Sequence, residues 1–230
     1  MTQTYVLHYA PDNASLPVRL VLEELGLPYR TQLVDRKARA QHSADYLAVN
    51  PAGLIPALET PDGPVSETAA ILLWLADRHG SGLFPAPDSP ARAEALKWLF
   101  FASNTLHAEL RRLFYPDQYI GSGPADQERL RSFSRQAIIR HLTLLDRVVS
   151  PGTAPGILDW YLGAMLRWCA LYPRGADHSW FDLRAFDNLF QMAQGLEGRA
   201  STRAAQAAEG LGATPFTAPR APEPPEGSAL

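Results

Sequence analysis

The chain has 230 residues, 46% of them hydrophobic and 20% charged, with a formal net charge of −3. That is enough material for one large domain or two small ones, and the near-neutral balance argues against a dedicated nucleic-acid binder, whose footprint is basic. No apolar run reaches the roughly 20 residues a membrane helix needs, the N-terminus lacks a signal pattern, and the lone cysteine, Cys169, excludes an internal disulfide; no membrane or nucleic-acid partner and a cytoplasmic location are expected.

Tyr5-Val6-Leu7-His8-Tyr9 predicts a first strand, stopped by the turn formers Pro11-Asp12-Asn13. Between Ser15 and Leu25 the apolar residues recur at helical spacing, with Gly26 as C-cap and Pro28 beyond it. A second strand is expected from Tyr29 to Val34, a third from Leu54 to Glu59, and a short fourth around Val65 after the Pro61-Asp62-Gly63 turn. Thr68 to His79 follows as a helix, with Ile71, Leu72 and Leu75 on one stripe. The order is β-α-β, a long irregular or helical piece, then β-β-α.

Residues 80–90 are rich in Gly, Pro and Ser and mark a boundary, after which no convincing strand is found. Ser89-Pro90 predicts a helix start, running to about Tyr115. Further helices are expected over 125–149, 157–171, 180–194 and 199–209. The end of the chain is dominated by Pro, Ala and Glu and is expected to be disordered. The resulting division is an α/β domain over 1–80, a linker over 81–89, an all-helical domain over 90–213 and a disordered tail over 214–230.

Residues 54–68 carry the most chemistry. Pro56 interrupts a short apolar run and fits a bend at a strand entry, where a cis Ile55-Pro56 bond is tolerable. Such a bend leaves the Ile55 backbone outside its own ladder and free for an extended ligand. Glu67-Thr68 then opens a helix whose free N–H groups and dipole attract a carboxylate. A peptide-like ligand with a charged amino-acid end suits both devices, and glutathione is one. Helix capping by Glu67-Thr68 is the bland alternative.

The order of these pieces resembles the cytosolic glutathione transferases over about residues 4–217. The resemblance rests on Asn50-Pro51-Ala52-Gly53-Leu54-Ile55-Pro56-Ala57-Leu58 and Glu67-Thr68-Ala69-Ala70-Ile71-Leu72, supported by Leu22-Glu23-Glu24-Leu25-Gly26-Leu27-Pro28-Tyr29 and Asp159-Trp160-Tyr161-Leu162-Gly163. It implies a thioredoxin-like N-terminal domain followed by an all-helical one. It also implies that Leu54, Ile55 and cis Pro56 hold the cysteinyl unit of glutathione, with Glu67 and Thr68 at its γ-glutamyl end.

Within the family, Tyr9-Ala10-Pro11-Asp12-Asn13-Ala14-Ser15-Leu16 looks most like the bacterial beta class, where a cysteine and a serine stand at the positions of Ala14 and Ser15. Ala14 offers no side-chain donor, so the redox chemistry of that cysteine is lost. Ser15, Asn13 and Tyr9 remain as partners for the thiolate, which needs a donor to lower a thiol pKa near 8.5. Ser15 is also an ordinary N-cap candidate.

His107 matches a beta-class histidine that approaches glutathione from the facing helix, although the lysine that follows it there is Ala108 here. Phe114 and Tyr115 are placed near the electrophile pocket, with aromatic packing as the alternative. Ala52 replaces another expected lysine, and Gly156 replaces a hydroxyl residue ahead of the capping Asp159. Cys169 reads as core, Arg111-Arg112 as a solvated face, and the histidines show no metal spacing, so no metal is expected.

The expected function is that of a homodimeric bacterial detoxification enzyme joining glutathione thiolate to small hydrophobic electrophiles. The rivals are a glutathione-dependent reductase, isomerase or ether-cleaving enzyme, and a non-catalytic glutathione-binding or regulatory protein on the same fold.

Overall fold

The computed structural model describes residues 5–80 and 82–228. The first four positions of the expected α/β domain, the first of the linker and the last two of the tail lie outside the described residues.

Four strands form one mixed sheet in the order β2-β1-β3-β4. β1 (Tyr5–Tyr9) is central: it runs parallel to β2 (Tyr29–Leu33), with Leu7 opposite Thr31. On its other side it runs antiparallel to β3 (Ala57–Thr60), with Leu7 opposite Leu58. β4 (Gly63–Ser66) closes the sheet, Val65 facing Leu58. The parallel β1–β2 connection requires a crossover, supplied by helix α1 (Leu16–Glu24). After the short helix α2 (Ala44–Val49), α3 (Thr68–His79) returns along the sheet and ends on Gly80 in the left-handed region. This is a thioredoxin-like arrangement.

α1 is more deeply placed than its stripe predicts. Leu16, Val18, Leu20, Val21 and Leu22 are all fully buried, and Arg19 with them. A helix apolar nearly all round belongs inside the molecule. Here it is packed between α3 and two helices of the second half, α8 (Ile157–Leu171) and α10 (Ala200–Glu209). Among the described residues that second half contains helices and loops and no strand. It adds α4 (Arg92–Phe101), α5 (Ala108–Phe114), α6 (Asp117–Ile120), α7 (Pro124–Asp146) and α9 (Asp187–Glu197). No helix among the described residues is long and apolar enough to cross a membrane.

Four expectations about local structure are revised. The third strand begins at Ala57, because the Leu54–Pro56 bend keeps Ile55 out of the ladder. Ser89-Pro90 forms a turn, Ser89 Oγ accepting from the Ala91 N–H at 3.3 Å, and the helix starts at Arg92. The long helix expected to Tyr115 widens into a π segment over Ala102–His107, a distortion frequent at functional sites. The helix expected over 180–194 begins at Asp187; Asp182 instead accepts from the Arg184 N–H and starts only a single 3₁₀ turn.

Gly156 has a spatial reason. A Cβ there would come within 2.8 Å of the Leu83 carbonyl oxygen. Asp159 still reaches back to accept from the Gly156 N–H at 2.7 Å.

The tail is corrected as well. Its composition predicts disorder, but through Ser228 it is laid against the body. Phe216 is buried against Gly163, the Glu223 N–H donates to the Gly210 carbonyl, and Tyr9 donates its hydroxyl to Glu226. Buried Arg167 donates to the carbonyls of Leu211, Pro215 and Arg220. One buried guanidinium thus fixes backbone that carries few apolar side chains of its own.

Candidate active site

The α/β half and the helical half enclose a cavity of about 610 Å³, within the range of small-molecule sites. Its α/β wall is built from the bend before β3 and from the starts of α1 and α3. Tyr46 Oη and Asn50 Nδ2 both donate to the Leu54 carbonyl at 2.6 Å, which fixes the bend. Gly53 sits in the left-handed region at φ +62°, and a Cβ there would meet His42 Nδ1 at 3.0 Å. The Ile55-Pro56 bond is cis. Leu54, Ile55 and Pro56 all line the cavity.

Glu67 lies at φ +69° just before α3, and its carboxylate makes no capping hydrogen bond. The capping alternative therefore fails for Glu67, whose side chain is left for the cavity it lines. Thr68 donates its hydroxyl to the Ala14 carbonyl at 3.1 Å, tying the start of α3 to the start of α1.

The three candidate thiolate partners are separated by the fold. Asn13 lines the cavity; its Oδ1 accepts from the Ala14 N–H at 2.8 Å, which leaves the Nδ2 protons as donors. Ser15 does not line it. Its side chain is fully buried and donates to the Ala10 carbonyl at 3.1 Å, so the expectation that it faces a bound sulfur is not met. Tyr9 is also off the cavity wall: its hydroxyl goes to Glu226, Arg19 stacks on its ring, and burial, reinforced by Glu226, raises its pKa. Sequence spacing cannot say which way a side chain turns at a strand end or a helix start, and Tyr9 and Ser15 both turn inward.

The helical wall comes from the π segment, α5 and α8. His107 lines the cavity, and its Nδ1 is 2.6 Å from Tyr161 Oη. Burial, with a contribution from Arg111, pushes the His107 pKa down to about 4, so the ring is neutral at physiological pH. Tyr161 is held as a neutral phenol, its pKa raised by burial and then by the charge of Glu67. The phenol and the neutral ring share one hydrogen bond, whose donor is set by the ring tautomer. Phe114 and Tyr115 line the same wall, Phe114 packing edge-on against Tyr172.

Several lining residues had no site signal in the sequence. Arg36 comes from the segment after β2, Asn104 from the π segment, Arg111 from α5, and Tyr161, Trp168 and Tyr172 from α8 and its C-terminal end. The expected solvated pair is divided: Arg112 is exposed and bonded to Glu109 at 2.7 Å, whereas Arg111 turns to the cavity. Cys169 is buried, as expected, and burial raises its thiol pKa. Among the described residues no cluster could hold a metal ion.

Residues 14–78 match the family model described as glutathione S-transferase, N-terminal domain. Over 211 residues the chain is 30% identical to glutathione S-transferase GstA of Escherichia coli O157:H7, covering 89% of this chain and 98% of that protein. The chain belongs to the glutathione S-transferase family. A second member, glutathione S-transferase GST-4.5 of Xanthomonas campestris, is 31% identical over 215 residues, spanning 89% of this chain and 98% of the other. A sphingomonad glutathione S-transferase solved in complex with glutathione superposes with a TM-score of 0.73 at 31% identity, over 90% of this chain and 100% of that one. The beta-class enzyme of Sphingomonas chungbukensis gives 0.71 at 27% identity, over 89% of this chain and 98% of that one. Both of the full-length relatives, GstA and GST-4.5, are bacterial glutathione S-transferases, and the Ile55-Pro56 bend and Glu67-Thr68 lie within the matched family region.

Proposed function

We propose that this transferase binds glutathione with its cysteinyl backbone at Ile55 and its γ-glutamyl end at Glu67 and Thr68. The sulfur is held as thiolate at the start of α1, where it attacks small electrophiles with an apolar body. The observation that carries this reading is Glu67, a carboxylate on the cavity wall with no capping role, beside an Ile55 backbone outside the ladder. An ammonium group suits the first and an extended peptide the second.

Asn13 takes the thiolate in this reading. Its amide Nδ2 faces no acceptor among the described residues, and α1 adds the field of its N-terminus. Lowering the thiol pKa and fixing the sulfur beside an apolar pocket account for the rate gain. His107, neutral and braced by Tyr161, faces the same space. The wider reading is a homodimer acting in cytoplasmic detoxification.

Thiolate absorbance of the glutathione complex, followed against pH, tests the assignment. Asn13→Ala is expected to raise the pKa of bound thiol, while Ser15→Ala and Tyr9→Phe leave it in place. A shift in either of the latter with none in Asn13→Ala overturns the assignment of Asn13.

A further inference from the structure

We propose that the second substrate carries an anionic group, a carboxylate in the first instance, seated on Arg111 at the helical wall. The proposal rests on the transferase reading above and adds the class of its electrophile.

Arg111 stands one turn beyond His107 on α5, half-buried and on the cavity wall. Its guanidinium carbon lies 5.8 Å from the centroid of the Tyr115 ring, which orients the fork without neutralising it. Among the described residues no carboxylate pairs with it: the nearest acid in sequence, Glu109, is bonded to Arg112 and Ser134. Two carboxylates line the cavity, and neither is available. Asp12 is held by Arg167, Trp168 and Tyr172, and Glu67 lies on the opposite wall at the γ-glutamyl end.

Arg36 crosses from the α/β half to donate to Tyr115 Oη at 3.0 Å, which fixes the ring beside which Arg111 sits. An arginine kept half out of water beside Tyr115 forfeits hydration, and an incoming anion restores what it lost. Its planar fork matches a carboxylate by two parallel bonds. Burial is the main cause of the lowered basicity of His107, and the charge of Arg111 adds to it, which places that guanidinium close to the ring. The aromatic rings on this wall take the apolar body, so the fitted substrate has an apolar body and a charged end.

The test uses a chlorodinitrobenzoate and its methyl ester. In both, the glutathione sulfur forms a bond to the ring carbon and chloride leaves with the carbon–chlorine electron pair. With each kcat/KM divided by its uncatalysed rate, the acid should exceed the ester by about tenfold or more, as one charge-assisted contact implies. Arg111→Gln should bring that ratio close to one, and Arg111→Lys should keep part of it. Calorimetric binding of unreactive dinitrobenzoate and its ester reads the same preference without turnover.

No preference in the unaltered protein, or one that survives Arg111→Gln, overturns the proposal while leaving glutathione transfer intact. Loss of glutathione affinity in Arg111→Gln with the preference unchanged overturns it too, and gives the arginine to glutathione's glycyl carboxylate. Preference for the acid in a protein that binds no glutathione supports the anion seat and sinks the transferase reading instead.

Discussion

The Nε of Arg167 lies 2.8 Å from Asp12 Oδ1, and both side chains are wholly inaccessible to solvent. Asp12 is in the left-handed region at φ +49° and immediately precedes Asn13. The pair therefore anchors the cavity loop to α8, and Trp168 and Tyr172 complete the carboxylate's partners. Removing one member of such a pair strands the other charge in the interior. Arg167→Met is expected to cost about 3–5 kcal/mol, measured by urea unfolding. A loss below about 1 kcal/mol is the surface-pair value and would show the cluster to be hydrated.

Thr68 gives a test of glutathione affinity. Its one hydroxyl proton goes to the Ala14 carbonyl; in the proposed complex that proton turns to the γ-glutamyl carboxylate, beside the N–H groups at the start of α3. Thr68→Ala should weaken glutathione by roughly 1.5–3 kcal/mol, about ten- to over a hundredfold, by calorimetry. Thr68→Ser, which keeps the hydroxyl for either acceptor, should recover most of the affinity. Unchanged binding in a folded Thr68→Ala protein counts against the proposed pose.

Much of this was legible before the structure. Turn formers and helical periodicity locate β1, α1 and α3 closely, because a short strand, a glycine cap and an apolar stripe are local features. Pro56 and Glu67-Thr68 mark the α/β wall of the cavity for the same reason. What escaped depends on side-chain direction or on long-range pairing. Ser15 and Asn13 are equally good donors on paper, yet one turns to Ala10 and the other to the cavity. Arg111 and Arg112 are adjacent, and only packing separates a cavity residue from a solvated one. Asp12 and Arg167 are far apart in sequence, and no local pattern couples them.

His107 makes stability depend on pH. Its folded pKa of about 4 lies below the ordinary value, with burial the leading cause. The unfolded ring takes up a proton near pH 6.5, the folded ring not until about pH 4. The unfolded state thus binds more protons in that window, and stability falls as pH drops through it. The contribution is present above about pH 6.5 and reaches roughly 3 kcal/mol of loss near pH 4. Unfolding free energy against pH in His107→Gln should be flatter over this interval. Parallel curves for the two proteins would show that another group controls the acid limb.

The tail offers the sharpest contrast between composition and contacts. Phe216 is 1% exposed and meets α8 where Gly163 leaves room; a Cβ at Gly163 would come within 2.9 Å of Leu196 and 3.6 Å of Phe216. The Phe216 and Thr217 N–H groups both donate to Glu197 Oε1, so the segment is held by backbone bonds as well as by its ring. Phe216→Ala removes a large buried side chain and should cost about 3–5 kcal/mol by urea unfolding. Truncation after Gly212 should cost at least as much, because it also takes two carbonyl acceptors from Arg167 and the Glu226 acceptor from Tyr9. A disordered tail predicts no change from either alteration and rapid proteolysis beyond Gly212 in the intact chain. Protection of residues 214–228 from protease, together with the loss of stability, is the outcome the contacts require.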